Sequence, residues 1–282
     1  MKNIPIVDTH VHLWDQGALR YPWLEDAPPS FASPHALAEY RAAHGEINIE
    51  ALVFVQCGGY DGVVEAEWVA SLARDDARLK GIVAEAPVYN GEEVRPVLEK
   101  LADIQLVKGV RHVIEGESIE FCVQPNFVKG VQILEEFGFS FDICIRHPQL
   151  ANTIQMVKQC PNIQFILDHI AKPDIKGQIF DPWRRELKTL SEFPNIVCKI
   201  SGLATEADHE NWTRDDMKPY IEHVIECFSF ERVMYGSDWP VSTAATEYPR
   251  WVDTLKWAVQ DYSEDEINKL FHDNAIQFYR LS

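Results

Sequence analysis

The sequence contains no long hydrophobic run, no closely spaced pair of cysteines and no dense stripe of basic residues. No apolar segment approaches the roughly 18 residues that a membrane span needs, and the first residues show no signal-peptide pattern. The six cysteines are scattered without a CxxC pair, which argues against a disulfide framework. We therefore expect a soluble, cytoplasmic protein with reduced thiols and no membrane association.

Basic residues are in the minority: 26 lysines and arginines stand against 44 aspartates and glutamates, so the net charge is −18. Such a surface repels a phosphate backbone, which argues against nucleic acid as a partner. The first strand-like run is not followed by a glycine-rich phosphate turn, and no GxSxG motif occurs. These two absences disfavour a dinucleotide-binding sheet and a serine esterase.

What is present indicates an α/β protein, with residues 1–282 as one domain. Short β-branched, apolar runs recur along the chain and alternate with stretches in which apolar residues have helical spacing, a pattern typical of βαβ units. Strands covered on both faces have this near-continuous apolar character, and the length suits one (β/α)8 TIM-type barrel. The pattern alone leaves a doubly wound sheet open. The predicted strands are residues 5–10, 51–57, 80–86, 107–113, 139–146, 163–169, 195–201 and 232–238.

The connections between these runs are predicted to differ in kind. Residues 14–50 are rich in proline and aromatic residues and too long for a simple strand-to-helix connection, so they are predicted to form an excursion over the barrel mouth. A second excursion is predicted over 202–216. Crossover helices are predicted over residues 63–75, 93–103, 125–137, 149–159 and 246–260.

Polar residues suited to catalysis occur where the predicted strands end. The carboxyl ends of all strands in a parallel barrel lie on one face, which is where the active sites of such barrels form. Residues far apart in the sequence are therefore expected to meet there. These strand-end residues are His10, His12, Gln56, Glu85, Arg111, His112, Arg146, His147, Asp168, His169, Lys199 and Asp238.

The first and last strands carry the most specific pattern. His10 and His12 are two positions apart on a predicted strand, so their side chains point to the same face and suit a metal or an oxyanion. An HxH pair alone has an equally good structural explanation. Asp238 ends the last strand, which neighbours the first in a closed barrel, so it would face both histidines. A carboxylate there can ligate a cation or accept a proton from water; the alternative is a turn or N-cap aspartate.

Further candidates follow the middle strands. His147 and His169 come after the fifth and sixth strands and are candidate members of the same cluster, with an ordinary core or loop histidine as the alternative. Arg111, Arg146 and Lys172 are candidate ligands of substrate oxygens, although ordinary ion pairs are equally compatible with them.

Aromatic residues are concentrated in the predicted first excursion. Trp14 and Trp23, together with Tyr21, are candidate stacking partners for a sugar ring. Packing of the excursion against the barrel explains them equally well, because aromatic rings bury large areas in either role.

Six motifs extend over essentially the entire chain: DTHVHLW at 8–14, RYPWL at 20–24, GVRH at 109–112, LDHIAKP at 167–173, CKISGL at 198–203 and GSDWP at 236–240. Together they resemble the amidohydrolase-related proteins of the amidohydrolase superfamily. Within it they are most similar to the sugar-lactone hydrolases and to the pyrone-dicarboxylate and sulfomuconolactone lactonases. The resemblance implies a distorted (β/α)8 barrel that hydrolyses a lactone.

The resemblance also implies a ligand set. Superfamily metal sites correspond here to His10, His12, His147 and Asp238, with His169 as the active-site histidine of the sixth strand. No lysine or glutamate occupies the bridging position of binuclear members at the end of the fourth strand. At most one divalent metal, taken to be zinc, is therefore expected. Because some similar lactonases work without a cation, metal-independent catalysis stays open.

The implied reaction is attack of water on the lactone carbonyl, with Asp238 as the base and then as the acid that protonates the departing oxygen. Either the metal or hydrogen bonds from His10, His12 and His169 would polarise the carbonyl. A neutral aldonolactone such as L-fucono- or L-rhamnono-lactone is favoured, because an anionic lactone needs more cations.

Three alternatives to that reaction stay open. One is a hydrolase of an anionic lactone, of the muconolactone or pyrone dicarboxylate type. The others are a decarboxylase of the same superfamily and a barrel that binds a sugar acid without turnover. In each case the expected partner is a small molecule, and assembly into a homo-oligomer is open.

Overall fold

The computed structural model describes residues 4–281, in which eight parallel strands form one sheet in the order of the sequence. Each strand pairs with the next. The strands are β1 (Ile6–Val11), β2 (Ile49–Val55), β3 (Leu79–Glu85), β4 (Val107–Val113), β5 (Ser140–Cys144), β6 (Phe165–Leu167), β7 (Ile196–Ile200) and β8 (Val233–Tyr235).

The sheet closes into a barrel just beyond the end of β8. Val11 of β1 forms a parallel bridge with Trp239. Two backbone hydrogen bonds flank that bridge: the His12 N–H donates to the Trp239 carbonyl at 2.8 Å, and the Asp238 N–H donates to the His10 carbonyl at 2.9 Å. The prediction of a (β/α)8 TIM-type barrel is confirmed, and the motif containing Asp238 is part of its seam.

Helices cover the outside of the barrel. The five predicted crossover helices are present, with ends shifted by at most a few residues. They are the helices Gly62–Leu72, Arg95–Ala102, Pro125–Phe137, Leu150–Gln159 and Tyr248–Ala258. None of these helices is long and apolar enough to cross a membrane. Within residues 4–281 the α-helices are α1 (Leu37–His44), α2 (Gly62–Leu72), α3 (Arg95–Ala102), α4 (Pro125–Phe137), α5 (Leu150–Gln159), α6 (Trp183–Ser191), α7 (Arg214–Phe228), α8 (Tyr248–Ala258), α9 (Glu264–Asn268) and α10 (Asn274–Tyr279).

Both predicted excursions are present, but they differ in secondary structure. The first ends where β2 begins at Ile49 and contains α1, which the proline-rich composition of the segment conceals. It is closed by an antiparallel bridge between Trp14 and His35, whose two N–H···O bonds measure 2.9 Å. The second excursion ends where α7 begins at Arg214.

The barrel interior is apolar at its base. Residues such as Val7, Val83 and Ile166 pack there, and Tyr279 and Leu281 at the end of the described chain cover this base. The apolar filling fixes the lower half of the barrel, so polar side chains of the same strands are confined to the middle and to the mouth.

Strands β6 and β8 are shorter than predicted, with three residues each. The four residues His169–Lys172 that follow β6 have φ values between 47° and 64°, and Asp238 after β8 has a φ of 59°. Non-glycine residues in this left-handed region cost roughly 1–2 kcal/mol each and are frequent at functional sites. These turns direct His169 and Asp238 into the barrel mouth.

Candidate active site

Four side chains from distant parts of the chain meet at the barrel mouth, those of His10, His12, His169 and Asp238. Asp238 Oδ1 lies 3.5 Å from Nε2 of His12 and 3.8 Å from Nε2 of both His10 and His169. All four residues are buried, with at most 5% of their surface exposed. The structure therefore brings together the imidazoles and the carboxylate that the sequence places at strand ends.

The other ring nitrogen, Nδ1, of each histidine has its own polar neighbour. The Val55 carbonyl can only accept, so it holds the His12 proton at Nδ1 and leaves Nε2 of His12 with a lone pair that faces Asp238. Such neighbours also fix the orientation of the rings. The distances from Nδ1 are 2.8 Å for His12 to the Val55 carbonyl oxygen, 3.3 Å for His10 to Asp168 Oδ1 and 2.9 Å for His169 to Ser201 Oγ.

Burial determines the charges of this cluster. It lowers the pKa of His10 well below its usual value and that of His169 to about 4, so both rings are neutral at neutral pH. Burial opposes ionisation of Asp238, but the three neighbouring histidines, His169 most, act in the opposite direction and hold the pKa of this carboxyl below its usual range. The cluster thus contains an ionised carboxylate beside the neutral rings of His10 and His169.

This arrangement fits one divalent cation. Asp238 Oδ1 is buried and has no hydrogen-bond partner among the described residues, and lone pairs facing a carboxylate repel one another unless a cation lies between them. Tetrahedral zinc, with bonds of about 2.0–2.1 Å, holds its ligand atoms roughly 3.3 Å apart, close to the separations of 3.5–3.8 Å seen here. His10, His12 and Asp238 satisfy the distance requirement of a metal-binding group.

A second possible group of ligands is already neutralised. His10, Asp168 and His169 also have their ligand atoms within 4.8 Å of one another. However, Asp168 lies 3.1 Å from Lys199 Nζ and 3.2 Å from Arg111 Nη1. The Asp168 carboxylate is therefore already compensated, whereas Asp238 has no such partner, so the geometry favours one ion at His10, His12 and Asp238.

The expectation that His147 completes the ligand set needs correction. Strand β5 ends at Cys144, and His147 opens a short 3-10 turn three residues later, where it is partly exposed. It belongs to neither ligand group found among the described residues. After burial, the acidic residues Asp174 and Glu186 have the largest influence on its pKa. The imidazole that lies beside Asp238 in addition to His10 and His12 is that of His169, with its Nε2 3.8 Å from Asp238 Oδ1.

Arg111 points into the barrel, so alternation of side chains on β4 directs the adjacent His112 to the other face. Its Nη1 lies 3.2 Å from Asp168 Oδ2 and 3.4 Å from His10 Nε2, and its Nη2 donates to the Gln56 carbonyl at 2.5 Å. Only 4% of its surface is exposed. Arg111 therefore connects the histidine cluster to the end of β2.

The other two predicted cations form an ion-pair network beside the cluster. Lys172 pairs with Glu115, and Arg146 lies 2.7 Å from Glu115 and 3.0 Å from Glu206. Glu115 and Glu206 are on loops without any motif, so the sequence contained no signal for them. Because each cation already has a carboxylate partner, this part of the mouth carries little free positive charge.

A layer of charged residues lies beneath the cluster, of which the sequence analysis named Lys199 but missed its partner Asp142. Lys199 Nζ lies 2.5 Å from Asp142 Oδ2, and Tyr279 from α10 donates to the same oxygen at 3.1 Å. Lys199 and Asp142 are both fully buried. The available signal was a charged residue in the middle of an apolar strand, because such residues are rarely buried without a partner.

The two candidate tryptophans have different environments. Trp14 is fully buried, and its Nε1–H donates to the carbonyls of Phe31 and Ser33 at 3.2 and 3.1 Å. Its ring meets Trp23 edge-on at 5.2 Å. Trp14 therefore packs the excursion and cannot face a substrate, which corrects that expectation. Trp23 is only partly buried and keeps its indole N–H unpaired.

Gly202 allows the close approach of β7 to the cluster. It has a φ of +67°, and a Cβ atom at this position would lie 2.7 Å from His169 Nδ1 and 3.0 Å from Asp238 Oδ2. Any side chain would displace the catalytic candidates, so only glycine fits here.

Known proteins are similar to this chain in sequence and in architecture. The amidohydrolase family model matches residues 7–281. The chain is 28% identical to an L-fucono-1,5-lactonase of Burkholderia multivorans, over 98% of this chain and 96% of that protein. It is 22% identical to an L-rhamnono-gamma-lactonase of Scheffersomyces stipitis, with 100% of both covered. An amidohydrolase from Burkholderia multivorans solved with bound zinc has a TM-score of 0.86 at 25% identity, over 99% of this chain and 100% of that one.

Proposed function

The chain belongs to the amidohydrolase family, and on that premise we propose that it is a lactonase acting on a small, neutral, polyhydroxylated lactone. The observation that carries the proposal is the buried Asp238 carboxylate, surrounded by three imidazole Nε2 atoms at 3.5–3.8 Å. Such a site can activate water and polarise a carbonyl at the same point.

Asp238 is the proton carrier of the proposed reaction. Its ionised oxygen accepts a proton from water as the water oxygen bonds to the lactone carbonyl carbon. The same proton then passes to the ring oxygen when the carbon–oxygen bond breaks, so a hydroxy acid is released without a covalent enzyme intermediate. A zinc ion held by His10, His12 and Asp238 would supply polarisation of the carbonyl and a lowered pKa of water.

Charge pairing at the mouth favours a neutral substrate. Arg111 is paired with Asp168, and Lys172 and Arg146 share Glu115. A sulfonate or dicarboxylate requires unpaired cations, preferably arginine forks, and breaking these pairs would leave buried or half-buried carboxylates uncompensated. A neutral hydroxylated ring can bind without any unpaired cation.

The relatives support the same substrate class. Two similar proteins are named for hydrolysis of L-fucono-1,5-lactone and L-rhamnono-gamma-lactone, and a similar structure contains zinc. Because opening an aldonolactone yields an aldonate, we place the enzyme in sugar catabolism. The six free cysteines agree with a reducing cytoplasm.

A panel of lactones tests the proposal. Proton release is followed for neutral aldonolactones and for sulfonated and dicarboxylated lactones, each with and without a chelator, while carbon dioxide release is monitored separately. We expect turnover of a neutral lactone at least tenfold above that of any anionic one. Preference for an anionic lactone would indicate a hydrolase of anionic lactones instead. Release of carbon dioxide would indicate a decarboxylase instead.

A further inference from the structure

Three of the buried polar atoms without a partner among the described residues belong to the early part of the first excursion or to α2. They are Oη of Tyr21, Nε1 of Trp23 and Oε2 of Glu65. Tyr21 and Glu65 expose only 3% and 1% of their surfaces. An unpaired buried polar group costs about 1–3 kcal/mol, so each calls for a ligand or an ordered water.

The glycine segment after β2 brings these atoms to one place. The Gly59 N–H donates to Glu65 Oε1 at 3.0 Å. A Cβ atom at Gly58 would lie 3.5 Å from Trp23 Nε1. Trp23 and Glu65 therefore lie against two adjacent glycines, Gly58 and Gly59.

Tyr21 joins the group through Cys57. The Cys57 thiol lies 3.5 Å from Glu65 Oε1 and packs against the aromatic cluster that contains Tyr21. Burial raises the pKa of Tyr21, and the nearby Cys57 and Glu65 raise it further. The phenol thus keeps its proton, and its O–H can donate a hydrogen bond to a ligand.

Arg111 connects this group to the catalytic cluster. Its Nη2 binds the carbonyl of Gln56, the residue before Cys57, while its Nη1 lies 3.4 Å from His10 Nε2. Arg111 Nε also lacks a partner among the described residues. A continuous path of polar groups therefore runs from His10 to Glu65.

We propose that Tyr21, Trp23 and Glu65 form a binding site for the hydroxyl groups of the substrate, which we call the hydroxyl site. The inference rests on the proposed lactonase function. Trp23 can only donate, Tyr21 can donate or accept, and Glu65 offers an acceptor oxygen. A pair of neighbouring hydroxyls, each both donor and acceptor, satisfies this set. An anionic group would meet the Glu65 carboxylate.

Isosteric variants test the hydroxyl site. At about pH 8, above the Glu65 pKa of about 7, Glu65→Gln replaces the unpaired acceptor by a donor and can keep the oxygen that binds Gly59, while Trp23→Phe and Tyr21→Phe remove one donor each. For a fully hydroxylated lactone we expect kcat/KM to fall about 10- to 100-fold in each variant, as loss of one buried hydrogen bond implies. For a deoxy-lactone lacking the bound hydroxyl, wild type and variant should be equal within twofold.

Matched controls come from the same segment. Glu67→Gln changes an exposed glutamate of α2, and Tyr60→Phe changes a tyrosine that is 60% exposed. Both should leave kcat/KM unchanged. An equal loss on all lactones in the three test variants, or no loss at all, would overturn the hydroxyl site while leaving the lactonase function in place.

A binding measurement separates this inference from the proposed function. A hexopyranose has the ring hydroxyls but no lactone carbonyl, and calorimetry measures its affinity without any turnover. At least tenfold weaker binding to Glu65→Gln than to wild type supports the hydroxyl site even if no lactone is hydrolysed. Equal affinity of the two proteins counts against it, and a wild type that neither binds the sugar nor hydrolyses lactones removes both proposals.

Discussion

Lys199 Nζ lies 3.1 Å from Asp168 Oδ1, in a layer of fully buried charges directly next to His10. Removing only the ammonium leaves the buried Asp142 carboxylate without its cation, while Asp168 keeps only Arg111. We expect Lys199→Met to lower the free energy of unfolding by about 3–5 kcal/mol, and Lys199→Met with Asp142→Leu to recover part of that loss. Urea unfolding measures both. Lys218→Met, which breaks an exposed helical ion pair, should change stability by less than about 1 kcal/mol.

The histidine cluster predicts the metal content of the protein. After loading with zinc and dialysis, elemental analysis should find about one equivalent per chain in the wild type and little in His10→Asn, because the variant loses a ligand. His147→Asn should retain the metal, since His147 lies outside both ligand groups. Loss of zinc in His147→Asn would instead support the ligand set that the sequence resemblance implies, which includes His147. A metal-free wild type that is fully active would assign carbonyl polarisation to the histidine rings.

The carboxylate of Asp238 should be indispensable for turnover but not for folding. Asp238→Asn keeps the shape and removes the base, so we expect kcat to fall by about 10²–10⁴-fold. The circular dichroism spectrum should be unchanged. Asp253→Asn alters an exposed aspartate of α8 and should keep full activity. Comparable kcat values for the two variants would contradict the proposed mechanism.

Gly202→Ala separates backbone strain from damage to the site. Alanine at φ +67° is strained, and its Cβ would lie 2.7 Å from His169 Nδ1. Gly45→Ala is the control, because Gly45 has a similar φ of +56° and nothing within 4 Å of a new Cβ. Both variants should lose about 1–2 kcal/mol of stability from the backbone alone. Only Gly202→Ala should also lose most of its activity, and similar activities in the two would argue against close packing at His169.

Stability should depend on pH through Glu65. Burial raises the pKa of this carboxyl from 4.5 to about 7, so the folded protein binds the proton more tightly than the unfolded chain does. The contribution of Glu65 to stability therefore falls as pH rises from about 4.5 to about 7 and is constant above that. Relative to Glu65→Gln, the wild type should lose about 2–3 kcal/mol between pH 5 and pH 8. Denaturant unfolding at both values checks this, and a constant difference would mean that Glu65 is not protonated in the folded state.

Much of the fold and part of the site followed from local patterns. The eight apolar runs were correctly interpreted as parallel strands, because burial on both faces requires near-continuous apolar residues. His10, His12 and Asp238 were expected to meet, because closure of a barrel makes its first and last strands neighbours. The lengths of β6 and β8 were overestimated, since turns with positive φ, as at His169 and Asp238, have no clear signature outside glycine.

The sequence by itself determined the eight parallel strands, the face on which the site lies and His10, His12, His169 and Asp238 as its catalytic candidates, because strand periodicity and strand order are encoded locally along the chain. Only the tertiary structure decided that His169 and not His147 lies beside Asp238, and that Glu115 neutralises Lys172 and Arg146. Both depend on where turns place side chains in space. A shift of two or three residues at a strand end moves a side chain out of reach, and sequence patterns do not resolve strand ends that finely.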